Sequence, residues 1–314
     1  MKQRAEKISI VIPTYNEEDN IFPIYKALRT MFAEHLPEFD YEFVFSDNCS
    51  KDSTQQKIEE LCKRDKNVKA IFNVRNFGAS NSAVNALRNS SGDCAVMFCA
   101  DFQTPVNVIP QLVEKWRQGN ALVCGVKEVN RKDSESISFA RTLYYKMISF
   151  LADKEFVEDF SGFTLLDKTA VDLVREYRSS NIIVNNVSDL GYKCAYVYYK
   201  QEKRAAGKSG NRVSDLYDIF MSTLVSVSKK AVRVIAILGM SLMILTLLFA
   251  LVYLIVKLCI GGEFPLYKYA ILSAIGIFGS LQMLFLGLLG EYVLNVKTKL
   301  TKGKLVVEER RINF

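Results

Sequence analysis

With 314 residues the chain has room for one α/β domain and an appendage, and 49% apolar content beside 24% charged residues divides it into a charge-broken part and an apolar part. The net charge of +7 suits an anionic membrane surface, and with no zinc-ligand spacing or RNA-binding signature present, nucleic acid is excluded as a partner. Seven cysteines, odd in number, scattered and without a CxxC pair, read as the thiols of a reduced cytosolic compartment.

In chain order, "KISIVIPTYNE" predicts a strand over 8–12 that ends in a loop. Its apolar run is too short for a signal peptide and is interrupted by Pro13. Residues 20–35 have helical periodicity. His35, the only histidine, has no partner nearby in sequence and is expected at the surface. A second strand over 41–46 runs into "DNCSKDST", where Asp52 or Ser53 can cap a helix reaching Arg64. "VKAIFN" is a third strand, "GASNSAVNALRNSSG" a short helix closed by Gly92, and "CAVMFC" a fourth strand. A helix follows over 105–118, and "ALVCGVK" is a fifth strand. This alternation predicts a mostly parallel sheet with helices on both faces. Ligands of such sheets bind beyond the carboxyl ends of the strands, here 13–17, 47–52, 73–78 and 101–105.

Beyond Lys127 the pattern changes. Residues 134–152 and 213–230 are amphipathic, and each fits either a membrane interface or an ordinary core-facing helix. Residues 234–256 carry no charge and 270–289 only Gln282 as a strong polar group, each run long enough to span a bilayer at roughly 20 residues. Basic residues flank the pair at 229, 230 and 233 and again from 297 to 311, whereas the connecting loop holds two lysines and a glutamate. Positive-inside reasoning places both termini in the cytoplasm, so the chain is expected in the inner membrane as a multi-pass protein with its α/β domain on the cytoplasmic side. Small residues from Ser273 to Gly290 suit packing of spans, and a homo-oligomer is expected. The expected organisation is an α/β domain over 1–133, a further segment with an amphipathic helix over 134–212, a juxtamembrane helix over 213–233, two spans over 234–289 and a basic tail over 290–314.

Asp101, in "CADFQTP" at the carboxyl end of a buried strand, is placed to hold a metal and a phosphate. Together with "IVIPTYNEEDNI", "DNCSKDST", "NVRNFGASNSAVNAL", "SGFTLLDK", "KRAAGKS" and "GEY", it resembles, in order and over nearly the whole chain, the family-2 glycosyltransferases that load a sugar onto a polyprenyl phosphate. Dolichol-phosphate mannose synthases and bacterial bactoprenol glucosyltransferases belong to that family. The resemblance implies an α/β fold of GT-A type with a mostly parallel sheet, joined to amphipathic interface helices and a two-helix transmembrane hairpin. It also implies an inverting transfer from a nucleotide-sugar, a UDP-hexose, to a polyprenyl phosphate at the cytoplasmic face, assisted by Mg²⁺ or Mn²⁺.

On the resemblance, Pro13, Tyr15 and Glu17 flank the nucleotide base. Asp47 binds base or ribose; alternatively, it closes a turn near Ser50. Arg75 or Asn76 orients its loop or touches the donor, and Gly78 permits a tight turn. Asp101 holds the metal and diphosphate, and Gln103 meets the leaving group or the acceptor. Lys127, Arg131, Arg204 and Lys208 supply cations for the acceptor phosphate, or form a basic face toward anionic lipid. Asp101, Gln103 and Arg204 form the catalytic set. The chain departs from the pattern at Cys99, Thr104 and Gly162, where relatives carry acids, and at Gly210, where they carry lysine. A thiol is a poor Mg²⁺ ligand, so Cys99 is expected to pack as a small buried side chain. These departures motivate the alternative of a weakened member that binds nucleotide-sugar or lipid as partner to another transferase or a flippase.

Overall fold

The computed structural model describes residues 5–128, 160–176, 191–202, 267–300 and 306–314, with isolated helical positions between 237 and 258. The chain forms two units. One combines Met1–Arg141, Phe156–Gly210 and Lys302–Phe314; the other combines Thr142–Glu155 and Asn211–Thr301.

The first unit is built on an eight-stranded sheet. Its strands are β1 (Lys7–Thr14), β2 (Asp40–Asp47), β3 (Val68–Asn73), β4 (Cys94–Met97), β5 (Leu122–Lys127), β6 (Phe160–Asp167), β7 (Cys194–Tyr199) and β8 (Glu308–Ile312). Strand order is β7-β5-β6-β4-β1-β2-β3-β8. The β1–β2, β1–β4, β2–β3 and β5–β7 pairs are parallel. β6 runs antiparallel between β4 and β5, and β8 antiparallel on β3.

Strand alternation divides the core between two faces. Ile8, Ile10 and Ile12 of β1 join Phe43 and Phe45 of β2 under α1 (Ile21–His35), α2 (Thr54–Arg64) and α4 (Ile109–Arg117). On the other face Val11, Val44 and Ile71 join Val84 and Leu87 of α3 (Ala79–Arg88) and Val171 and Val174 of α5 (Lys168–Glu176). Each such large apolar side chain contributes about 1.5–3 kcal/mol by leaving water. The mostly parallel α/β architecture is thus as expected, with the antiparallel β6 as an addition. "FSGFTLLD" does not alternate polar with apolar, because Phe163, Thr164, Leu165 and Leu166 are buried from both faces.

Several expectations change. The tail divides: α6 (Tyr267–Leu300) contains the second apolar run, and Glu308–Ile312 is a sheet strand rather than a basic extension. On the described side chains alone, no helix is long and apolar enough to cross a membrane. The two-helix hairpin therefore has no support from the fold; most of 234–256 lies outside the described residues, as do both amphipathic segments. Cys124 and Cys194 are joined as a disulfide between neighbouring β5 and β7, which departs from the reading of reduced thiols. Cys49, Cys62 and Cys94 are free thiols.

Candidate active site

The order of strands locates the site. From β1 the chain steps to β2 and β3 on one side and to β4 on the other, so the sheet reverses direction of growth at β1. The loops after β1 and β4 emerge there side by side at the carboxyl edge, where the ligand crevice of such a sheet is expected. The carboxyl ends of β2, β3, β5 and β7 lie along the same edge, since all run parallel to β1 and β4.

On one side of the crevice the loops after β1 and β2 are laced together. The Asn16 N–H donates to Ser50 Oγ (2.9 Å), Lys51 N–H to Asn16 Oδ1 (2.8 Å) and Glu17 N–H to Thr54 Oγ1 (2.9 Å). Asp52 Oδ1 accepts the Thr54 N–H at 3.0 Å, while Ser53, the other candidate, stands at the N-cap of α2 without a side-chain cap bond. Tyr15 is exposed, Pro13 and Glu17 are half-buried, and Glu17 Oε2 accepts from Asn20 Nδ2 at 2.6 Å. Asp47 is fully buried. Its oxygens accept the Ser50 hydroxyl, the Ser50 N–H (3.0 Å) and Gln55 Nε2 (2.8 Å). The carboxylate thus closes the turn at Ser50, the alternative already open in the sequence. Cys49 in this turn has φ +63°, where a side chain other than glycine is strained.

The loop after β3 is held by a network of amides that the sequence reading did not identify. Asn48, buried at the end of β2, donates to Asn76 Oδ1 (2.8 Å) and accepts from the Phe77 N–H (2.9 Å) and Asn73 Nδ2 (3.2 Å). Asn76 Oδ1 also accepts the Gly78 N–H at 2.8 Å. Asn76 therefore orients the loop, whereas Arg75 is exposed with its guanidinium 4.4 Å above the Phe77 ring. Gly78, at φ +90°, makes the left-handed turn into α3. The available signal was the run of asparagines at strand ends in "SDNC" and "FNVRNFG".

Across the crevice, Phe98 continues the pairing of β4 with β1 through its N–H to Val11 O (2.9 Å). Cys99 is exposed rather than packed; its neighbours Phe98 and Ala100 take the buried positions. Asp101 is 9% exposed, and its Oδ1 accepts the Gln103 N–H at 3.1 Å. Phe102 at φ +58° completes this tight turn. Thr104 is buried and donates to Tyr199 Oη at 3.3 Å, and the Glu202 N–H donates to Gln103 O at 3.0 Å. The chain after β7 is thereby fastened to the Asp101 loop. Lys127, half-buried at the end of β5, pairs with Tyr199 in the ladder, so it stands on the same side. Arg131, Arg204 and Lys208 lie outside the described residues, whereas Gly162 stands in β6 at φ +84°.

Among the described residues no three His, Cys, Asp or Glu side chains gather as a metal cage. The donor set is one carboxylate, which fits a divalent cation that takes its other ligands from diphosphate oxygens and water.

Residues 9–174 match the family described as Glycosyl transferase family 2. The bactoprenol glucosyl transferase of Shigella phage SfV is 28% identical over 91% of this chain and 93% of its own length. The prophage bactoprenol glucosyl transferase homolog of Escherichia coli (strain K12) is 27% identical, with the same coverage of 91% and 93%. The putative glycosyltransferase CsbB of Bacillus subtilis (strain 168) is 28% identical over 91% of this chain and 86% of its own. The crystal structure of mannosyl-3-phosphoglycerate synthase from Rubrobacter xylanophilus shares the fold, with a TM-score of 0.51 at 14% identity over 70% of this chain and 72% of that one.

Proposed function

Since the chain belongs to glycosyl transferase family 2, we propose that this glycosyltransferase moves a hexose from a UDP-linked donor to a polyprenyl phosphate, with inversion, at the cytoplasmic face of a membrane. The observation that carries this reading is the coextensive likeness to the bactoprenol glucosyl transferases, which reaches across 91% of the chain and so past the nucleotide-sugar domain into the apolar C-terminal part. A lipid acceptor gives that apolar part a purpose: runs 234–256 and 270–289 anchor the sheet domain beside a substrate that stays in the bilayer.

The chemistry asks little of a protein base. A phosphate monoester has its second pKa at about 6, so near neutral pH it is already a nucleophile. Its oxygen bonds to the anomeric carbon as the bond from that carbon to the donor diphosphate breaks, and no proton has to move. Positioning and charge stabilisation therefore carry the rate. The loops around Pro13, Tyr15 and Glu17, with Arg75 reaching from its loop, take the nucleotide. Asp101 and Gln103 face the diphosphate. Lys127, with Arg131, Arg204 and Lys208, takes the acceptor phosphate. A divalent cation held by Asp101 supplies neutralisation of the leaving diphosphate. Asp47 contributes by fixing the shape of its loop.

The test is direct. Purified full-length protein, given labelled UDP-sugars and polyprenyl phosphate in lipid, is expected to make a glycolipid in a metal-dependent manner. Absence of product with every donor would overturn the reading.

A further inference from the structure

The last strand of the sheet reaches the loop that carries Arg75 and Asn76. β8 pairs with β3 through Ala70↔Ile312, Ile71↔Arg311 and Phe72↔Arg310, and then skips a residue so that Asn73 faces Glu308. The skipped residue is Glu309, and the resulting bulge bends β8 at the level of the site edge. Beyond it, Val307 O accepts the Val74 N–H at 3.1 Å. Val74 is the first residue of the loop. On the same side of the bulge, Glu308 Oε1 accepts from Asn85 Nδ2 at 2.6 Å, and Asn85 belongs to α3, the helix into which the loop leads. β8 thus holds the loop where it leaves the sheet and also the helix that follows it.

The attachment of β8 is firm along its length. Arg310 lies 4.1 Å above the Phe72 ring and pairs with Glu59 of α2. Asn313 Nδ2 donates to the Cys62 and Val68 carbonyls, each at 2.8 Å. Asn73, opposite Glu308, is itself buried and donates to Asn48 Oδ1 and Ser82 Oγ, both at 3.2 Å. Asn48 in turn fixes Asn76 and Phe77. Through Val74 and its chain neighbour Asn73, β8 is thereby joined to the amide network under the loop.

We infer that β8 is a positioning element for the donor nucleotide: Val307 and Glu308, contributed from the far side of α6 in the chain, set the loop of Arg75 and Asn76 in its binding conformation. The inference rests on the reading of that loop as part of the donor site. A strand that merely covered the edge of β3 would need the ladder and its charges, but not the bond from Glu308 to α3.

The experiment uses the full-length protein. UDP affinity is measured by calorimetry, donor and acceptor KM and kcat by glycolipid formation, and Tm by thermal unfolding. Asn85→Ala, which removes one hydrogen bond, and Glu308→Ala, which also releases Arg311 on the exposed side of the strand, are each expected to weaken UDP binding and raise donor KM by about fivefold, with kcat and acceptor KM within about twofold. The double variant is expected to be no worse than either single one. Glu308→Gln keeps an oxygen facing Asn85 and is expected to bind UDP as the unaltered protein does. If Glu308→Ala does not fold, Asn85→Ala, at a half-buried position, carries the measurement. Unchanged UDP affinity and donor KM in the alanine variants, with only Tm lowered, overturn the inference. Failure of the unaltered protein to bind any nucleotide overturns the donor-site reading instead, and is separable because it requires no variant.

Discussion

Asp47 and Asp101 flank β1 from opposite sides, one at the end of β2 and the other in the loop after β4. Asp47 has both oxygens engaged inside its own turn, by Ser50 and Gln55. Asp47→Ala leaves those half-buried donors without their acceptor. It is expected to lower stability by about 1–3 kcal/mol, read as a lower denaturant midpoint at unchanged slope. Asp101→Asn preserves an oxygen for the Gln103 N–H and removes only the charge. Its kcat is expected to fall at least about 100-fold, with Tm unchanged; retained turnover would remove Asp101 from the chemistry. The position of Asp101 at the carboxyl end of β4 was legible in sequence because an acid after a buried strand is a local signal. The roles of Asn48 and Asn73 were not, because an asparagine at a strand end reads as an ordinary turn residue until a second strand brings its partner. Cys99 was misplaced for a related reason. In the turn of Phe98 to Gln103, beyond the end of β4, the buried positions go to Phe98, Ala100 and Asp101, which leaves Cys99 outside.

At the scale of elements, the end of the sheet opposite the site is held by a buried ionic cluster. Glu42 of β2 is almost wholly shielded from water and lies between Lys7 of β1 (2.9 Å) and Lys69 of β3 (2.8 Å). It also accepts from Ser9 Oγ at 2.6 Å and from the Ser91 N–H and hydroxyl. Burial by itself raises the carboxyl pKa, but the bonds from Lys69, Ser9, Ser91 and Lys7 outweigh it and hold the group down at about 2, against an ordinary 4.5. The folded state therefore binds its proton more weakly than the unfolded chain. The resulting stability is full above about pH 4.5 and is lost as pH falls toward 2. Glu42→Gln is expected to lower stability at neutral pH by about 3 kcal/mol and to flatten the acid limb of the unfolding curve. An acid limb identical to that of the unaltered protein would show that the cluster contributes nothing.

Most strands were legible because their apolar runs are short, regular and bounded by polar loops; "VKAIFN" coincides with β3. β8 was not, because "EERRI" reads as a charged tail. Its charges are what an edge strand needs, since Glu309 and Arg311 on an exposed edge discourage pairing with another sheet.

At the scale of the whole molecule, the proposed lipid substrate and the single site carboxylate lead to an expectation about metal. With no cage of protein ligands among the described residues, Mg²⁺ or Mn²⁺ is expected to bind weakly to the nucleotide-free protein and much more tightly once UDP is present. Calorimetric titration with and without UDP measures the difference; tight binding without nucleotide would contradict a one-carboxylate site.

The arrangement of the sheet unit in three chain segments also has a consequence for its synthesis. β7 ends at Tyr199 and β8 begins at Glu308, so translation must pass through the whole of the second unit before the sheet can be completed. At about 5–20 residues per second that interval is roughly 5–20 s. During it β3 presents an uncovered edge, and the loop of Arg75 and Asn76 lacks its Val307 and Glu308 supports. The nascent protein thus matures in a fixed order, with the apolar C-terminal part made first and the loop of Arg75 and Asn76 secured last.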